Sequence, residues 1–126
     1  IVGSIILFVA WSLIPGVKQW RYRREIRERP STQAEWAAEF PGAMDTVEQV
    51  LAIFCDAFLF NRRYRFQFRP EDKVMDVYRA TTGPVADEIQ LEMLTEELRK
   101  SFGVGLVSRF DPDITLRDVV AMVLED

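Results

Sequence analysis

The sequence predicts an all-α protein: a single N-terminal transmembrane helix followed by a small three- or four-helix bundle. Three observations predict it. The first seventeen residues, IVGSIILFVAWSLIPGV, contain no ionisable side chain, and the basic run KQWRYRREIRER follows them. Further along, apolar residues recur at the i, i+3, i+4 spacing that lines one face of a helix. Pro, Gly and Ser/Thr/Asp punctuate those segments where helices start and stop.

The apolar run is the first element. A bilayer core of ~30 Å takes roughly 20 apolar residues, and this run reaches about 25 Å at ~1.5 Å per residue. A full crossing therefore needs Gln19 to Tyr22, or residues ahead of Ile1. The positive charge lies on the C-terminal side of the run, opposite to a secretory signal peptide. The positive-inside rule then predicts a single-pass protein of the cell membrane with its C-terminal body in the cytoplasm. Lys18, Trp20, Arg21, Tyr22, Arg23 and Arg24 are the expected membrane-interface residues, and membrane lipid the expected partner. The alternative is a helix buried against other protein.

Charge divides along the chain. Residues 1–30 carry six basic and two acidic groups, residues 31–126 ten basic and eighteen acidic, giving the net −4. An acidic body argues against nucleic acid as a partner. The chain has no histidine and one cysteine, Cys55. That removes an intramolecular disulfide, zinc sites built on Cys/His clusters and every histidine-based triad. Cys55 lies in the apolar stretch AIFCDAFLF and reads as a small buried hydrophobe. No enzyme activity, cofactor or metal follows from these residues.

Beyond Pro30, Thr32-Gln33-Ala34-Glu35 has the capping-box pattern and predicts a short helix that stops at Pro41-Gly42. Asp45-Thr46-Val47-Glu48 predicts a second helix, to about Phe60, with Val47, Val50, Leu51, Phe54 and Phe58 on its inner face. In Asn61 to Arg69, Tyr64, Phe66 and Phe68 alternate with polar residues, which predicts a short extended piece. Glu71 to Arg79 reads as a turn or short helix, and Thr81 to Pro84 as a loop. A further helix starts near Asp87, with Leu91, Leu94, Leu98 and Phe102 inward and Gly103 as its stop. Thr115-Leu116-Arg117-Asp118 opens the last helix. The chain thus divides into an anchor with its basic stem (1–30), a short helix and linker (31–44) and a helical domain (45–126).

Val85-Ala86-Asp87-Glu88-Ile89-Gln90-Leu91, followed by Leu94, Leu98 and Phe102-Gly103, resembles the second helix of acyl carrier proteins. Phe68 to Met75 is similar to the segment before that motif, and Ile114 to Met122 to the last carrier helix. The resemblance covers roughly residues 45 to 125 and implies an acyl-carrier-like bundle. Carrier proteins bear phosphopantetheine on a Ser after the motif Asp. Here Glu88 takes that place, and a carboxylate offers no hydroxyl for the phosphodiester. The chain looks more like degenerate acyl-carrier-like domains of bacteria. The resemblance also implies that Asp87, Glu88, Glu92 and Glu96 face a partner, since carrier proteins meet basic patches with this helix; a merely solvated acidic face is the alternative.

Two lesser clusters complete the reading. Arg62, Arg63, Arg65 and Arg69 fit either an anionic head group or internal acids, and the acidic excess favours the internal pairing. Asp111 and Asp113 lack the Gly and Glu of an EF-hand loop and read as a turn. The expected function is a non-catalytic, membrane-tethered interaction or accessory subunit, with a membrane-protein complex as its partner. The alternative is an acyl or lipid carrier in membrane lipid metabolism.

Overall fold

The computed structural model describes residues 15–82, 89–106 and 111–125. Among them are six α-helices: α1 Pro15–Glu28, α2 Gln33–Glu39, α3 Met44–Ala57, α4 Val74–Thr82, α5 Ile89–Phe102 and α6 Leu116–Glu125, with a 3-10 helix, Arg62–Gln67, between α3 and α4.

The expected membrane-spanning helix is not found. Among the described residues no helix is long and apolar enough to cross a membrane. Residues 1–14, most of the apolar run, lie outside the described residues. The described helix there, α1, has 14 residues, about 21 Å at ~1.5 Å per residue, and most of it is the basic stem. Its inner side belongs to the bundle. Ile26 is wholly buried, Tyr22 packs on the core, and α1 rests on α4 and the 3-10 helix.

Helix α3 is the central element, in contact with the 3-10 helix, α5, α6 and α2. Its stripe of Val47, Val50, Leu51, Phe54 and Cys55 is buried. Burying each large side chain contributes roughly 1.5–3 kcal/mol. At its C-terminal end the core is aromatic. Phe54 meets Phe58 at 4.8 Å and Phe68 edge-on at 5.1 Å, and Phe60 meets Phe68 edge-on at 5.0 Å. Such pairs add about 0.5–1.5 kcal/mol beyond the area they bury.

The turn that ends α3 comes earlier than Phe60 and is a Schellman motif. Phe60 N–H bonds the Cys55 carbonyl at 2.8 Å and Leu59 N–H the Asp56 carbonyl at 3.3 Å. Leu59 holds φ +61° where glycine is usual. The extended piece predicted at Asn61 to Arg69 is instead the 3-10 helix. The Asn61 side chain caps it by accepting from Arg63 N–H; Phe66 enters the core from the helix, and Phe68 from the extended residue that follows it. Thr81 belongs to α4 rather than to a loop; its hydroxyl bonds back to the Val77 carbonyl at 2.8 Å. Gly83 and Pro84 lie outside the described residues.

Of the three helix-opening patterns read from the sequence, at Thr32, Asp45 and Thr115, the last closes as a capping box. Thr115 N–H bonds the Asp118 carboxylate at 3.0 Å and Asp118 N–H bonds the Thr115 hydroxyl at 3.2 Å, the reciprocal pattern that opens α6. Thr32 precedes α2 but does not cap it. Its hydroxyl lies 2.7 Å from the Phe66 carbonyl and 2.6 Å from that of Phe68. The Trp36 indole N–H joins it there, on the Phe68 carbonyl at 3.0 Å. Helix α3 begins after Ala43 with no side-chain cap, and Glu48 pairs with Arg65 instead. A single antiparallel bridge, Lys73 with Thr115, ties the entrance of α4 to that of α6.

Candidate functional site

Helix α5 separates its residues cleanly. Leu94 and Leu98 are buried, with Leu91 and Phe102 packed beside them on the core. Ile89, Glu92, Met93 and Glu96, at i, i+3, i+4 and i+7, form a continuous outer stripe. Ile89 is 53% exposed and Met93 41% exposed. Gly103, at φ +72°, ends the helix with its N–H on the Arg99 carbonyl at 2.8 Å.

Two of the four predicted partner-facing residues, Glu92 and Glu96, are therefore placed together on this stripe, one turn apart and exposed. Asp87 and Glu88 lie outside the described residues. Arg99 donates to both carboxylate oxygens of Glu96, at 3.1 and 2.6 Å. Those bonds hold the Glu96 carboxyl below the usual carboxylate range, so Glu96 is ionised at neutral pH. Sequence reasoning missed Ile89 and Met93. The signal was available, because both fall on the polar side of the helix that Leu94 and Leu98 define.

The predicted interface residues of the stem divide between two sides of α1. Trp20, Arg21 and Arg24 are exposed; Arg24 pairs with Glu28 at 3.0 Å and lies over the Trp20 ring at 5.5 Å. Tyr22 and Arg23 turn toward the bundle. The Arg23 guanidinium donates to the carbonyls of Phe58 at 2.9 Å and Leu59 at 3.0 Å and covers the Phe60 ring at 4.5 Å. It thereby places positive charge at the C-terminus of α3, where the helix dipole favours it. The Lys18 side chain lies outside the described residues. Burial, then the nearby Asp72 charge, pushes the Tyr22 phenol up to about 12.

Two of the four clustered arginines, Arg62 and Arg65, pair with acids of the same body, the internal pairing that the acidic excess favoured, while Arg62, Arg63 and Arg69 stay exposed. Arg62 pairs with Asp56 at 2.5 Å and Arg65 with Glu48 at 3.4 Å, while Arg63 bonds the Tyr64 hydroxyl at 2.7 Å. Asp111 accepts from Asp113 N–H at 2.7 Å, the Asx-turn that its position predicts. An open cavity of about 480 Å³ lies beside that turn, lined by Asp111, Asp113, Asp118 and Glu125 with Met122. Among the described residues no group of three or more His, Cys, Asp or Glu is arranged to hold a metal ion. Cys55 is buried, and burial, followed by the Asp56 charge, pushes its thiol up to about 12. A thiol that resists ionisation is a poor nucleophile.

Comparison with protein-family models, with curated proteins and with solved structures finds no match to this chain.

Proposed function

We propose that this protein is a non-catalytic interaction or accessory subunit, and that its partner seats on the outer stripe of α5. One observation carries the reading. Ile89 and Met93 stay exposed on the same stripe as Glu92 and Glu96, on a helix whose other apolar residues are packed away. Single exposed apolar residues are ordinary, but two on adjacent turns, framed by charge, are the usual make-up of a docking face. Polarisable, flexible Met side chains suit surfaces that must adapt to a partner. The acyl-carrier-like reading of residues 45–126 belongs to the same proposal. It is supported by the long connection between α3 and α4 and by the Thr/Asp-capped last helix.

The test is a photo-crosslinking amino acid at Met93, in the full chain and in its native cells. A control carries the same group at Ala37, which is exposed on α2. The expected result is a discrete adduct from position 93 that the control lacks and that weakens when Glu92 and Glu96 become Lys. Equal labelling from both positions would overturn the reading. Intact mass tests its non-carrier half: a covalent pantetheine arm on the native protein would overturn that half directly.

A further inference from the structure

We propose that the occupant of the α5 stripe is a second copy of this chain, which covers it with the exposed face of its own α1. The proposal rests on reading the α5 stripe as a docking face and gives that face a partner. Two exposed helical stripes of matching geometry and opposite charge stand on this molecule. On α5 they are Ile89, Glu92, Met93 and Glu96; on α1 they are Trp20, Arg24 and Arg27, at i, i+4 and i+7 and all exposed. Trp20 is 54% exposed, as much as Ile89. Each stripe thus offers exposed apolar side chains beside charge: Trp20 with Arg24 and Arg27 on α1, where Glu28 pairs with Arg24, and Ile89 and Met93 with Glu92 and Glu96 on α5.

Among the described residues the two stripes stand on helices that rest on different neighbours. Helix α1 rests on α4 and the 3-10 helix, whereas α5 rests on α3, so the complement of each stripe is supplied between molecules. Trp20 then fills the gap between Ile89 and Met93, the role in which Trp is enriched at interfaces. Arg24 and Arg27 come opposite Glu92 and Glu96. Their present partners are neighbours on their own helices: Glu28 for Arg24 and Arg99 for Glu96. Such exposed pairs are easily exchanged. A two-fold arrangement uses this contact twice and closes on itself, which avoids open filaments.

The experiment uses two differently tagged copies of the full chain, one carrying the photo-crosslinking group at Met93. The expected adduct joins the two tags, with attachment mapped by mass spectrometry to residues 20–28. Arg24→Glu with Arg27→Glu in the unlabelled copy should lower its yield about tenfold, as for close charge pairs. Adding Glu92→Arg and Glu96→Arg to the labelled copy should restore it, a rescue that mere misfolding would not give. An adduct between copies that ignores these reversals, or maps elsewhere, overturns the proposal. An adduct only to a different protein also overturns it but leaves the docking role of α5 standing, while no adduct at all removes both.

Discussion

Leu59 occupies a backbone region that costs a residue with a Cβ about 1–2 kcal/mol. At 70% exposed its side chain gains little from packing in return. Leu59→Gly should therefore raise stability, by about 0.5 kcal/mol once the greater freedom of glycine in the unfolded chain is set against the relief. Denaturant unfolding checks it, and a lower midpoint would show that Leu59 packs on something further. Tyr22 gives a prediction in pH. Its phenol is raised from 10.0 to about 12 in the folded chain, so above pH 10 the unfolded state loses a proton that the folded state keeps. Stability is then fully present below pH 10 and falls as pH climbs toward 12. Tyr22→Phe should flatten that part of the profile. If the variant and the parent lose stability in parallel across this window, the burial of the phenol is not the cause.

At the scale of elements, the reciprocal bonds at α6 and their absence at α3 make a paired prediction. Thr115→Ala should cost about 1 kcal/mol, whereas Asp45→Ala, at the predicted cap of α3 that does not form, should cost no more than about 0.5 kcal/mol through the helix dipole; equal losses by thermal unfolding would refute the distinction. The same contrast shows what local sequence can and cannot convey. Helices α3, α5 and α6 were legible because Val47 to Phe54, Leu91 to Phe102 and Val119 to Val123 repeat at helical spacing. The stop at Gly103 was equally plain. The fate of Thr32 was not, because its acceptors lie more than thirty residues away, on Phe66 and Phe68. Tyr64, Phe66 and Phe68 alternate as in a strand, but no neighbouring strand among the described residues pairs with them, and Asn61 starts a 3-10 turn instead. Of the candidate site, the acidic pair Glu92 and Glu96 could be read directly. Its apolar half, Ile89 and Met93, was equally legible from the inward stripe of Leu91, Leu94, Leu98 and Phe102, which leaves both on the opposite side, but the charged residues beside them drew the reading.

Across the whole molecule, α1 and α2 belong to the core. Ile26 and Trp36 are fully buried, Arg29 pairs with Asp72 at 2.8 Å, and Thr32 with Trp36 supplies the donors for Phe68. Burying Ile26 and Trp36 alone is worth roughly 5 kcal/mol, comparable to the net stability of a small domain. A chain cut to residues 45–126 should thus fail to fold cooperatively, as circular dichroism during heating would reveal; a sharp transition would refute this. Cys55 supplies an internal reporter of the same cohesion. Its buried thiol should react with a disulfide reagent at pH 8 only as fast as the bundle opens, and immediate labelling would contradict the packing around it. The grips of Arg23 on the end of α3 and of Arg29 on Asp72 have a mechanical consequence. The first described helix is bolted to the body at two places rather than hung from a swivel. Torque or tension reaching α1 would pass through these contacts to the end of α3 and to Asp72, instead of swinging α1 alone.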